Sequence, residues 1–255
     1  MTSCSADPVD ASWFARFAGQ AAVVLLPPAA EAATVSARQA LAAIHLIVRA
    51  DYVPMKLLLV ALVALQPPFA HSVSRVTAAQ LPYSWRPGCP VAPSHLRRVR
   101  MTYWGFDRRA HTGAVIVNVS AVGDVVRVFR RLYDARFPIR RLRPIDAYHG
   151  VDERSLAADN TAAFNCRYVI GPGPKRWSVH AYGLAVDVNP VENPYIEGGH
   201  VHPRAGRAYV NRSRIRPGMA YPRGLLVNAF ASAGWQWGGR WTGSPDYQHF
   251  SKTGG

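Results

Sequence analysis

Lysine is nearly missing from this sequence. Lys56, Lys175 and Lys252 are its only representatives among 30 basic residues in a chain of 255. Acids are scarce too, 15 in all, so the net charge is +15 and arginine carries it. The first 54 residues hold three Arg against four acids, so the excess belongs to the rest. A surface of this kind attracts polyanions, with nucleic acid and an anionic cell wall as the candidates, or it is simply a soluble basic surface. A helix-turn-helix signal, zinc-finger spacing and an aromatic RNA-binding motif are all lacking, so charge alone does not select nucleic acid. Internal repeats are lacking as well. No apolar run is long enough for an ordinary membrane-spanning helix.

The longest apolar run is Leu57–Leu65, and its setting is informative. Met55 and Lys56 precede it, Pro67-Pro68 follow, and Ala70 and Ser72 are small. That order is a secretory signal peptide with a basic n-region, an apolar h-region and a small-residue cleavage site. Translation is therefore expected to begin at Met55, with residues 1–54 a mis-assigned upstream extension and no domain. Residues 55–72 are the expected signal peptide, cleaved after Ser72 or Ala70. Residues 73–81 are the expected linker, and 82–255 the expected main domain. The mature protein is expected outside the cytoplasm at the cell wall, as a monomer without a stable membrane span. Cysteine fits this place. Without Cys4 in the doubtful extension, Cys89 and Cys166 remain, and an exported pair suggests a disulfide. Two buried free thiols are the alternative.

Along the remaining chain, Ala114–Val119 is a β-branched run and reads as a strand. Ser120 reads as the cap of a helix whose apolar face holds Val122, Val125, Phe129, Leu132 and Tyr133. Ile139–Tyr148 reads as another strand. Tyr221–Ala233 reads as a second helix, with Pro222 in its first turn and Gly234 at its C-terminal cap. Helices and short strands mix with no βαβ rhythm, which predicts an α+β fold with a small antiparallel sheet and flanking helices.

The chemistry gathers in two segments. In SVHAYGLAVDVNP, Leu184, Val186 and Val188 alternate with Ala185, Asp187 and Asn189. This is a strand with one apolar face, and Asp187 points away from it. His180 lies just upstream, and Gly183 lets the chain bend between them. In PDYQHF, His249 supplies a second imidazole and Asp246 a carboxylate three residues earlier. Two His and one Asp leave a tetrahedral zinc with an open position for water. Either half alone is weak, since a His beside an Asp is more often a simple hydrogen-bonded pair. His200 and His202 form a rival pair, read as exposed loop residues.

The pattern as a whole, Ser178-x-His180-x-x-Gly183-x-Ala185-x-Asp187 with Asp246-x-x-His249, resembles the zinc D-Ala-D-Ala carboxypeptidase and L-Ala-D-Glu peptidase family. The likeness extends to YWGFD (Tyr103–Asp107), HTGAVIVN (His111–Asn118), FPIRRL (Phe137–Leu142), DNTAAFNCR (Asp159–Arg167) and NPVENPY (Asn189–Tyr195). The resemblance implies a hedgehog/D,D-peptidase-like fold and a secreted zinc metallopeptidase cutting peptidoglycan stem peptides. It implies His180, Asp187 and His249 as ligands of Zn2+ and Asp246 as the general base. It also implies Arg167 on the substrate carbonyl and Ser178 at the substrate's carboxylate end. Tyr182 and Trp241 are candidate groove residues. One departure stands out: the D,D-dipeptidase branch has Glu where this chain has Asp246, which resembles the L-Ala-D-Glu endopeptidase side. Nucleic acid is not expected as a partner. The alternative function is a non-catalytic zinc-containing wall-binding module of the same fold.

Overall fold

The computed structural model describes residues 67–169 and 174–254. The expected upstream extension, the apolar run Leu57–Leu65 and Cys4 lie outside the described residues. The domain is built on a long hairpin. Strand β2 (Leu96–Trp104) runs antiparallel to β3 (Ala110–Asn118), with Val99 opposite Val115 and Tyr103 opposite His111. Val99, Met101 and Tyr103 alternate inward along β2, as a half-buried strand requires. Helix α1 (Val122–Asp134) covers that face with Val125, Val128, Phe129 and Leu132, all almost fully buried. Each such side chain contributes about 1.5–3 kcal/mol by leaving water.

The third strand of this sheet is β1 (His71–Arg75), paired antiparallel to β2 with Ser72 opposite Arg100. The expected linker is therefore part of the fold. Val76 and Leu81 are buried, and Ala78–Gln80 form a 3-10 turn. Phe69 packs against the core beneath the Arg130 guanidinium, 4.9 Å from its ring centroid. A cut after Ser72 would split β1 and remove Phe69. Other boundaries shift for local reasons. The Asn118 side chain, not Ser120, caps the turn leading into α1, accepting from the Ser120 N–H at 3.0 Å. Ile139–Tyr148 holds only a two-residue strand, β4 (Arg141–Leu142), before Pro144 opens a 3-10 turn. Proline cannot donate to a ladder.

After the short helix α2 (Asp152–Ala157), β5 (Asn160–Thr161) pairs parallel to β4. A second antiparallel sheet follows: β6 (Ala185–Asp187) and β9 (Gln236–Trp237) flank β10 (His249–Ser251). Between β6 and β9 come the hairpin β7 (Tyr195–Glu197) and β8 (His200–His202) and helix α3 (Leu225–Ala231). Helix α3 starts later than read, because Arg223 is left-handed (φ 62°) and Gly224 is the extended N-cap. The architecture is α+β, with small antiparallel sheets and few helices. No helix among the described residues is long and apolar enough to cross a membrane.

Cys89 and Cys166 are disulfide-bonded across 77 residues of chain. The bridge anchors the segment carrying Arg167, where Arg86 also donates to the Cys166 carbonyl at 2.7 Å. Breaking a bridge over a loop this long costs about 2–5 kcal/mol. Reductant, or the Cys89→Ser/Cys166→Ser variant, should lower Tm by roughly 5–20 °C in a calorimetric scan. An unchanged Tm would mean that the bond contributes nothing.

Buried amides stitch the loops around β6. Asn193 donates to the Val188 and Gly218 carbonyls and accepts from the Ala220 N–H. Asn189 donates to the Pro138 carbonyl and accepts from the Arg140 N–H. Glu192 sits among Asp159, Arg140 and Tyr209. Burial first, then the negative charge of Asp159, pushes its carboxyl up to about 8, against the pull of Arg140. A carboxyl raised on folding adds stability below its unfolded pKa and loses it as pH rises through the folded one. Relative to Glu192→Gln, which cannot ionise, the wild type should therefore lose Tm between about pH 5 and pH 9. Thermal melts of both proteins across that range check this, and a pH-independent difference would refute it.

Candidate metal centre

Strand β6 shows the expected alternation, with Val186 and Val188 buried in the core and Asp187 turned to the other side. Strand β10 lies antiparallel to it, with His249 opposite Asp187 and Phe250 opposite Val186. Directly opposed residues share a face. One pairing therefore seals the core with Phe250 and Val186 and brings His249 against Asp187. His180 enters from a 3-10 turn, Val179–Tyr182. Ser178 caps that turn, accepting from the His180 N–H at 3.3 Å. Gly183 ends it with φ 67°, and a Cβ there would stand 2.6 Å from the Asn118 nitrogen. Only glycine meets both demands.

The donor atoms of His180, Asp187 and His249 lie within 4.8 Å of one another. His180 Nδ1 is 2.6 Å from the Ala163 carbonyl, to which it donates. That fixes the tautomer and turns a lone pair on Nε2 into the cluster. Nε2 stands 3.2 Å from Asp187 Oδ2 and 3.2 Å from His249 Nδ1, which is 3.1 Å from Asp187 Oδ1. Two imidazoles around one carboxylate at these distances need added protons or a cation among them. The set fits a divalent metal with nitrogen and oxygen ligands.

Electrostatics agree with the geometry. Burial would raise Asp187, but the charges and hydrogen bonds of His180 and His249 hold it well below the usual carboxylate range. Burial lowers His249, with Asp187 opposing. Burial also pulls His180 down, yet the Asp187 charge leaves it raised. Asp246 stands apart from the ligand set. Burial, then the Asp187 charge, pushes its carboxyl up to about 8, and its buried Oδ1 has no partner among the described residues. Its backbone N–H donates to the Gly238 carbonyl at 3.1 Å. A Cβ on Gly238 would meet the Asp246 carbonyl oxygen at 2.8 Å. The glycine-rich stretch after Trp237 therefore begins as a close approach to the site.

Residues 172–252 match the family model described as D-alanyl-D-alanine carboxypeptidase. That segment is similar to the D-alanyl-D-alanine carboxypeptidase family. It takes in His180, Asp187, Asp246 and His249 and stops short of Arg167. The match bears out the resemblance read from the sequence and supports a peptidase. Comparison with curated proteins and with solved structures gave no match.

The cluster opens on a cleft of about 540 Å³. His180, His249, Asp246, Arg167, Ser178 and Trp241 all line it. Arg167 is ion-paired with Asp152 of α2, and its charge reaches both histidines, lowering their basicity. The Trp241 ring lies 5.2 Å from the His249 ring. Tyr182 is not brought to the cleft. Its side chain is exposed and its carbonyl accepts from Asn118 at 3.1 Å. Glu153, Arg176, Tyr195, Glu197 and His202 also line the cleft and were missed in the sequence. His202, read as a loop residue, is on β8. The signal was there: YIE and HVH flank Gly198-Gly199, a two-residue hairpin turn.

Proposed function

We propose that the chain is an exported zinc metallopeptidase that hydrolyses peptide bonds in peptidoglycan stem peptides. Its type is D-Ala-D-Ala carboxypeptidase or L-Ala-D-Glu endopeptidase. The observation that carries this is one cleft lined by His180 and His249 of the His180–Asp187–His249 donor set, by Asp246, whose Oδ1 has no partner among the described residues, and by Arg167. A zinc ion held by those three ligands would supply Lewis acidity to the scissile carbonyl and acidify a water molecule.

The chain's own groups would do the rest. Asp246 takes a proton from the attacking water and hands it to the leaving amine. A carboxylate raised toward neutrality is a stronger base than an ordinary one. Arg167, braced by Asp152, holds the substrate carbonyl and stabilises the charge that develops on it. The Ser178 hydroxyl oxygen already accepts from His180, so its hydrogen is left to donate to a substrate carboxylate. The signal-like segment 55–72 and the Cys89–Cys166 disulfide support a place outside the cytoplasm. The +15 charge suits an anionic wall.

Protein loaded with zinc, at about one ion per chain, should shorten or split a defined pentapeptide stem, read by mass spectrometry. No product from any stem peptide would end this proposal. Wall binding without turnover, unchanged in Asp246→Ala, would favour a non-catalytic zinc module.

A further inference from the structure

Free carboxylates are the scarce resource of this chain, which has 15 acids against 30 bases. Among the described residues most acids are already engaged. Asp107 pairs with His111, Asp124 with Arg127 and Lys252, and Asp152 with Arg167. Asp159 and Glu192 share Arg140. Asp146 accepts from the Tyr83 and Ser84 amides and from the Ser84 hydroxyl. Asp187 and Asp246 belong to the metal centre. Asp134, Glu153 and Glu197 remain without an ion pair among the described residues. Two of these three, Glu153 and Glu197, line the cleft.

Glu197 is held there by the hairpin. Strand alternation puts Tyr195 and Glu197 on one face, and the register places His202 opposite Tyr195 and His200 opposite Glu197. Ile196 and Val201 take the other face. Tyr195, Glu197 and His202 all reach the cleft. The hairpin is tied to the segment bearing Asp246: Tyr195 bridges to Asp246, and the Ile196 N–H donates to the Pro245 carbonyl at 3.0 Å. Glu197 is therefore fixed close to the reacting centre. The cleft has a second mark of a ligand site. His249 is 6% exposed, and its Nε2 has no partner among the described residues.

We propose that Glu197, assisted by Glu153, binds a primary ammonium group on the peptide substrate, so that the cleft selects peptides with a free amine near the bond to be cut. The proposal rests on the peptidase function given above. A cation meeting an unpaired carboxylate forms a charge-assisted hydrogen bond, about twice as strong as a neutral one. Among the described residues Glu197 has no ion-pair partner, and the neutral Tyr195 hydroxyl is the group that hydrogen-bonds to it.

The amine belongs either to a side chain or to the peptide N-terminus, and one experiment separates them. The probes are L-Ala-γ-D-Glu-L-Lys-D-Ala-D-Ala and its Nε-acetyl and Nα-acetyl forms. Zinc-loaded full-length protein is assayed as wild type, Glu197→Gln, Glu153→Gln and Asp134→Asn, the last a free acid away from the cleft. Acetylating the recognised amine should lower wild-type kcat/KM about tenfold or more, mainly through KM. Glu197→Gln should remove most of that difference, Glu153→Gln part of it, and Asp134→Asn none. Wild type cutting all three probes within about twofold, or Glu197→Gln discriminating as well as wild type, overturns the proposal. If no probe is cut, the peptidase function fails, and calorimetric binding of the same probes decides. A free-amine preference lost in Glu197→Gln upholds amine recognition, and no preference refutes it.

Discussion

Asp246→Asn is expected to lower kcat/KM by about 10²–10⁴ while leaving the metal content unchanged. The argument begins with position. Asp246 lines the cleft beside the cluster, but its carboxylate is not among the three converging ligands. Asparagine keeps the shape and the contact with Gly238, so the fold should hold. What it loses is the capacity to take a proton. Burial and the neighbouring Asp187 push the Asp246 carboxyl up to about 8 in the metal-free protein. Raised this way, the ionised carboxylate is a stronger proton acceptor than an ordinary one, and a neutral amide accepts no proton. A variant within about tenfold of wild type would place the base elsewhere. Steady-state rates on a stem peptide and metal analysis of the same samples provide the check.

Half of the metal centre was legible in local sequence, and half was not. The alternation Leu184–Val188 displayed the orientation of Asp187, because strand period alone decides it. The bend at Gly183 was equally local. His249 was different. It lies 62 residues from Asp187, and only the β6–β10 register sets them opposite each other. No spacing rule encodes a pairing between distant strands, so the family resemblance supplied that link. The hydrogen bond from His180 to Ala163 was invisible for the same reason, although DNTAAFNCR carried the acceptor.

The fold divides along similar lines. Helix α1 was readable because a long amphipathic stripe outweighs boundary effects. Short elements were not. Ile139–Tyr148 looked extended, yet Asn160 pairs its side chain with both the N–H and the carbonyl of Arg143 and the strand stops at Leu142. The start of α3 was hidden by Arg223, since an arginine in the left-handed region has no sequence signature. Residues 73–81 looked like a linker because β1 is exposed along its whole length. An edge strand held mainly by backbone bonds leaves no apolar pattern. The buried asparagines around β6 read as loop composition, and tertiary packing alone makes them structural.

The variant Asp187→Asn is expected to behave unlike Asp246→Asn, and the contrast tests the assignment of roles. Asp187 is the one anionic group between two imidazoles, 3.2 Å from His180 Nε2 and 3.1 Å from His249 Nδ1. Loss of its charge removes an anionic ligand and the attraction that holds both rings toward one point. Outer-shell changes alone weaken metal affinity by about 10–100-fold, so loss of a ligand should weaken it by at least about a hundredfold. Turnover should fall to background with it. The amide still offers a carbonyl oxygen and fills the same space beside Ala162, whose N–H donates to the Asp187 carbonyl at 3.1 Å. The fold should therefore survive, which far-UV circular dichroism would check. Metal content after dialysis, and competition against a chelating dye, read the affinity. If Asp187→Asn keeps its metal, the donor set is wrong. If Asp246→Asn loses its metal as well, Asp246 is a ligand and the base must be sought among the other carboxylates of the cleft. Metal lost in one variant and kept in the other is the pattern that a ligand and a separate base require.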